Sequence, residues 1–283
     1  MVLAVLGDLV EDVVVWLDGP LVIGADSPSR VFRSRGGSAA NVAATAAARV
    51  PTRFLGCVGD DAAGDALVAA LERSDVDVRV ARAGETGTVV VVVDESGERT
   101  MFPERGASRL LGSVPGNWLE GVRHLHVPAY SFDGGPTAAA AHDALLRVRA
   151  AGGSTSVDAS SLGVVTSLGV GPMLDLLTDV APDLLFANAD EARALDLRGA
   201  SRSRLPGTAL VLKHGARATV VDAPGEPPVE VPVPPVADVR DLTGAGDAFA
   251  AGFLAAHLDG ETVTVAAERG HAAAAAVLAT PGA

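Results

Sequence analysis

The chain has 283 residues, of which 48% are apolar and 20% charged, and its formal net charge is −13. That balance fits a folded protein with a sizeable core and excludes a disordered chain, while the acidity and the lack of any basic stripe speak against a nucleic-acid partner. A single cysteine, Cys57, excludes an internal disulfide. No apolar run reaches the roughly 18 residues of a membrane span, so no membrane partner and a cytoplasmic location are expected.

In chain order, Val2–Leu6 reads as a buried parallel strand closed by Gly7-Asp8, and residues 13–17 as a second strand ended by Asp18-Gly19-Pro20. Gly36-Gly37 opens an unbroken Ala, Asn and Val segment, 38–49, that predicts a helix with Ser38 near its cap. Strand 53–58 and helix 63–73 follow. The β-branched run 89–93, the turn Asp94-Glu95-Ser96-Gly97 and residues 99–102 read as a hairpin. From there strands and helices alternate: strand 124–127, helix 137–151, strand 154–157, a helix near 172–177, strand 184–187, helix 190–195 and strand 209–213. An irregular proline-rich stretch, 224–235, precedes helices 246–258 and 262–279. This alternation predicts an α/β fold with a mostly parallel sheet between helical layers. The β-rich patches near 10–34 and 84–105 break the pattern and are expected to form a small separate sheet over one edge of the site.

Asp241-Leu242-Thr243-Gly244-Ala245-Gly246-Asp247 runs straight into an apolar helix. Glycines there leave backbone N–H groups uncovered at a positive helix end, which makes an anion site, with Asp247 beside the anion. A lone Gly-x-Gly-Asp is more simply a capped connection, but here Asp241 and Thr243 precede it late in an α/β chain. Neither a P-loop nor a dinucleotide glycine fingerprint occurs, since the sole lysine is Lys213 and no Gly-x-Gly-x-x-Gly follows the first strand. A phosphate-handling enzyme of this kind must therefore rely on a helix terminus, a metal and arginine.

With Gly36-Gly37-Ser38-Ala39-Ala40-Asn41-Val42-Ala43, residues 56–64 and Asn188-Ala189-Asp190-Glu191, this segment resembles the signatures of the ribokinase-like, or PfkB, carbohydrate kinases, in the right order along the chain. The resemblance implies a single three-layer ribokinase-like kinase domain over 1–283, with a mostly parallel central sheet and a small β-sheet lid. It implies ATP-dependent phosphorylation of a hydroxyl on a small sugar or sugar acid. Asp247 is then the general base and Gly244, Ala245 and Gly246 supply the anion hole. Asp12, Gly36, Gly37 and Asn41 line the substrate pocket. An internal helix hydrogen bond is an equal reading of Asn41. Asn188 and Glu191 hold Mg²⁺ through water, or else form a capping box at a helix start. Lys213, Gly215 and His271 border the nucleotide, and a solvated strand-end charge is an equal reading of Lys213. Asp241 and Thr243 match a monovalent-cation (K⁺) site found in part of the family.

Arg105 matches an arginine of relatives that bind acidic sugars such as 2-keto-3-deoxygluconate, and a guanidinium fork suits a carboxylate. Val10 and Ser38 replace polar groups that ribokinase offers to ribose. Alternatives are a nucleoside kinase of the same family, for which the lid segments offer Trp16, Phe32 and Phe102, or a sugar-binding regulator without turnover. Lid sheets in this family often pair between subunits, so a homodimer is expected.

Overall fold

The computed structural model describes residues 2–237, 239 and 242–279. Its larger sheet is built from β1 (Val2–Leu6), β4 (Thr52–Val58), β5 (Val76–Arg82), β8 (Val122–Pro128), β9 (Ser154–Asp158), β10 (Leu184–Asn188), β11 (Ala209–His214), β12 (Arg217–Asp222) and β13 (Val229–Val231). The smaller one joins β2 (Val10–Leu17), β3 (Ser29–Gly36), β6 (Thr86–Val93) and β7 (Arg99–Gly106). In the larger sheet the strand order is β13-β12-β11-β10-β9-β8-β1-β4-β5. It is parallel from β11 to β5, with β12 antiparallel to both of its neighbours.

The central strands are short apolar runs because helices cover both faces. On one face, α1 (Ser38–Ala47), α2 (Ala62–Glu72), α7 (Ala245–Leu258) and α8 (Val263–Leu278) pack against Leu3, Val5, Phe186 and Val211. On the other, α3 (Pro136–Ala150), α4 (Leu162–Leu168), α5 (Val170–Val180) and α6 (Ala189–Ala194) enclose Leu125, Leu145, Met173 and Leu212. Each such fully buried side chain contributes about 2 kcal/mol. Helix α7 is buried continuously from Ala248 to Ala256. Being apolar all round, it is a central helix rather than an amphipathic surface one, and this fixes its N-terminus against the sheet.

In the smaller sheet β2 pairs antiparallel with β3 and parallel with β6, and β6 pairs antiparallel with β7. The mostly parallel α/β architecture with a second sheet matches the expectation. Strand β3, the edge strand β5, the hairpin partner β12, the short β13 inside the proline-rich stretch, and α4 are additions to it. Among the described residues no single helix is long and apolar enough to cross a membrane.

Candidate active site

From β1 the chain crosses to β4 on one side, while β8 lies on the other. Carboxyl ends of parallel strands diverge at such a switch point and leave a crevice. There the chain after β1 and the ends of β9, β10 and β11 deliver Asp8, Asp158, Asn188 and Lys213 to one cavity of about 750 Å³, opposite Asp12, Val89, Val91 and Met101 of the smaller sheet.

Asp247 lies in the first turn of α7, after Gly244, whose φ of 73° places the N-cap in the left-handed region that glycine favours. Its side chain does not cap the helix. Ser38 Oγ donates to Asp247 Oδ1 at 2.6 Å, and Asn41 Nδ2 donates to Oδ2 at 3.0 Å. Arg35 Nη1 in turn donates to Asn41 Oδ1 at 2.9 Å, which fixes the orientation of the amide. Burial pushes the Asp247 carboxyl up to about 6, against the lowering effect of the Ser38 and Asn41 hydrogen bonds. The result is a carboxylate that is oriented, ionised at neutral pH and basic enough to take a proton. The Ala245 N–H makes only a long 3.4 Å contact to Leu242 O, and both Gly244 and Gly246 border the cavity.

Ser38 stands next to the N-cap of α1, as expected, as the first helical residue after Gly37, and its hydroxyl serves Asp247. Asn41 makes neither a purely internal helix bond nor a bare pocket wall: it joins α1 to α7.

Asp12 projects from β2 into the same cavity. Burial raises its pKa to about 6, opposed by the nearby Arg35 and Arg99 guanidinium groups. Gly36 lies beneath it, where an added β-carbon would fall 2.1 Å from Asp12 Oδ1, and one on Gly37 would fall 2.3 Å from Asp8 O. Any larger residue at 36 would displace the carboxylate. Arg105 also lines the cavity, but its guanidinium forks onto Asp8, with Nε–Oδ2 at 2.7 Å and Nη2–Oδ1 at 2.8 Å, and its Nη1 donates to Asp133 O at 3.2 Å. The fork expected to receive a sugar carboxylate is therefore taken up by Asp8, with the third nitrogen engaged by Asp133 O.

On the far side, Asn188 and Glu191 form a reciprocal capping box. Asn188 Oδ1 accepts from the N–H groups of Asp190 and Glu191, Glu191 Oε2 accepts from the Asn188 N–H at 2.7 Å, and Glu191 Oε1 accepts from Asn188 Nδ2 at 2.6 Å. Burial and the like charge of Asp158 raise the Glu191 carboxyl to about 7. All these donors are oxygens suited to a hard cation, and a divalent charge would relieve the crowding of the acids. The box occupies the side chains, so a metal here fits through water, and among the described residues no direct cluster of three His, Cys, Asp or Glu ligands forms.

Lys213 Nζ donates to Asp158 Oδ2 at 2.7 Å, and Gly215, with φ 63°, turns the chain at the mouth of the cavity. Thr243 borders the cavity and accepts from Arg99 Nη1 of the smaller sheet. Asp241, expected to share a cation site with it, lies outside the described residues. His271 is a correction. It is 6% exposed, bonds Thr219 Oγ1 through Nε2 at 2.9 Å and packs on Phe249, so it is a core residue between β12 and α7 and forms no part of the cavity lining.

Sequence reasoning missed Asp8, Arg35, Arg99 and Asp158. Asp8 and Asp158 carried one usable signal, an acid placed at the carboxyl end of a buried strand. The two arginines, on the smaller sheet, carried none.

The sequence profile described as "pfkB family carbohydrate kinase" matches residues 4–283. Similar proteins include an ATP-dependent ribose-1-phosphate kinase of Halopiger xanaduensis, 33% identical over 269 residues that cover 89% of this chain and 82% of the relative. A fructokinase of Vibrio alginolyticus is 31% identical over 85% of this chain and 83% of its own. An adenosine kinase structure from Sinorhizobium meliloti superposes with a TM-score of 0.84 at 24% identity, over 99% of this chain and 94% of that one. The glycine turn before α7, the α/β frame and the second sheet thus define a phosphotransferase of the ribokinase-like class. The chain belongs to the pfkB family of carbohydrate kinases and is an ATP-dependent carbohydrate kinase.

Proposed function

We propose that the protein transfers the γ-phosphoryl group of ATP to a hydroxyl of a small sugar, with Asp247 as the general base. The observation that carries this reading is the suspension of Asp247 between Ser38 and Asn41, at the N-terminus of α7 and across the cavity from Asp12. Asp12 grips sugar hydroxyls, Asp247 takes the proton of the attacking one, and the turn at Gly244, Ala245 and Gly246 receives negative charge. Asn188 and Glu191 would hold Mg²⁺ through water, and the ion would supply charge neutralisation at the phosphates. Gly215 borders the nucleotide.

The wall formed by the smaller sheet is aliphatic, with Val89, Val91, Met101 and Pro103. Trp16, Phe32 and Phe102 do not line the cavity, which disfavours a nucleoside stacked on that sheet. The Asp8–Arg105 pair equally disfavours a sugar acid held by Arg105. Neutral sugars and the sugar phosphate on which the Halopiger relative acts are the favoured acceptors. The smaller sheet serves as a lid on the one domain, and two copies pair through its outer face.

The test is ADP release, by a coupled assay, across fructose, ribose, ribose 1-phosphate, 2-keto-3-deoxygluconate and adenosine. A sugar or sugar phosphate should be turned over, and Asp247→Asn should lower kcat at least 10³-fold. Wild-type rates in Asp247→Asn would refute the assigned base.

A further inference from the structure

The sole lysine of the chain stands inside the crevice rather than on the surface. β11 delivers Lys213 to the carboxyl end of the sheet, where its Nζ lies 2.7 Å from Asp158 Oδ2, the two side chains being 15% and 8% exposed. Asp158 is itself fixed, since its Oδ1 accepts from the Ser160 N–H at 2.8 Å. A β-carbon added to Gly246 would lie 3.5 Å from Lys213 Nζ, so the ammonium rests against the first turn of α7, one residue before the proposed base. Asp158, Glu191 and Asp247 all face it. Burial alone would lower the lysine pKa, but these carboxylates reverse the effect and keep the group charged. Burying an ammonium is costly unless it is paired, and a lysine needed only for solubility would require no such seat.

We propose that Lys213 is a catalytic residue whose ammonium contacts the γ-phosphoryl group in transfer, and that Asp158 is the positioning residue that holds it against α7. The proposal rests on the kinase reading above. In the step, the sugar oxygen forms a bond to the γ-phosphorus while the bond from that phosphorus to the bridging oxygen breaks. The electron pair of the breaking bond leaves with ADP, and the hydroxyl proton passes to Asp247. Charge on the peripheral phosphoryl oxygens is then met by Lys213 and the backbone of the α7 turn. A compact, rotatable ammonium suits a group whose oxygens shift during transfer better than a rigid fork does. Lys213 thereby supplies, from a strand end, the charge that a P-loop lysine supplies elsewhere.

The test compares the binding of Mg²⁺-ADP with that of Mg²⁺-adenylyl imidodiphosphate by titration calorimetry, which needs no sugar. Wild type should bind the imidodiphosphate more tightly than ADP. Lys213→Met should lose at least tenfold in affinity for it, while ADP changes by less than twofold. With a sugar that wild type turns over, kcat should fall by about 10²–10³-fold with little change in sugar KM. The acid limb of the pH profile should move upward, because Asp247 loses a neighbouring positive charge, and ethylammonium should restore part of the rate of Lys213→Ala.

Should Lys213→Met unfold because Asp158 is left buried and unpaired, Lys213→Met/Asp158→Asn removes both charges and carries the same measurement. Equal losses for both nucleotides, or a variant with unchanged nucleotide preference and kcat within threefold of wild type, would overturn the proposal and leave the kinase reading standing. Wild-type protein that bound neither nucleotide would overturn both.

Discussion

Asp247 owes its basicity to burial and its orientation to two donors, and the two influences oppose one another. Burial raises its pKa to about 6, and the Ser38 and Asn41 hydrogen bonds restrain that rise. A base must be ionised to act, so kcat/KM should fall as pH drops through about 6. Asn41→Ala removes one restraining donor, so its acid limb should lie at higher pH than that of wild type, with most of the rate recovered at pH 9. An unmoved limb in the pH–rate profile would show that Asn41 does not tune the base. Asp12 behaves in the same direction for stability. Its folded pKa of about 6 exceeds the ordinary 3.8, so the folded chain holds its proton more tightly than the unfolded chain does. Ionising it therefore costs stability, a cost absent below 3.8 and complete above about 6. Asp12→Asn should accordingly raise Tm at pH 8 and leave it unchanged near pH 3.5, as followed by circular dichroism, while abolishing sugar turnover.

Among the elements, α6 is only six residues long, and its N-terminus is tied by the Asn188–Glu191 box. Short helices depend on such caps. Asn188→Ala should cost about 1 kcal/mol in urea unfolding. If the same pair also organises Mg²⁺, the variant should need several-fold more Mg²⁺ for half-maximal rate. A stability loss with an unchanged Mg²⁺ requirement would leave Asn188 as a cap alone. What the sequence disclosed follows the same physics. The core strands were legible because burial on both faces demands continuous apolar runs, and the turn into α7 because glycines precede an apolar helix there. Strand β3, Ser29–Gly36, was not, since as an exposed edge it carries three arginines and no clean alternation. Its Arg35, near the end of that strand, reaches Asn41 across the short link between β3 and α1. Arg105 lines the cavity, but its pairing with Asp8, 97 positions away, has no signature in the sequence around either residue. His271 was misread because a polar residue in the right segment says nothing about the side of the helix on which it lies.

For the whole molecule, the question is what covers the outer face of the smaller sheet. Register places Val31, Val15 and Val92 in one cross-strand row and Val13, Val90 and Phe102 in the next, all on the face opposite Asp12. Val31 and Phe102, at the two edges of that face, are 59% and 57% exposed. Rows of β-branched and aromatic side chains on one sheet face are normally buried, and both β3 and β7 are edge strands that invite pairing. A second copy would cover both liabilities at once, which is the basis for the proposed dimer. Sedimentation velocity at micromolar concentration should show a dimer for wild type. Val31→Asp/Phe102→Glu should shift it to monomer without lowering Tm by more than a few degrees, because neither side chain belongs to the buried core. The cavity lies on the other face of the same sheet, so the monomeric variant should still bind nucleotide but show a raised sugar KM, since a lid without its partner positions Asp12 less firmly. A wild-type monomer, or a variant that remains dimeric, would place the subunit contact elsewhere.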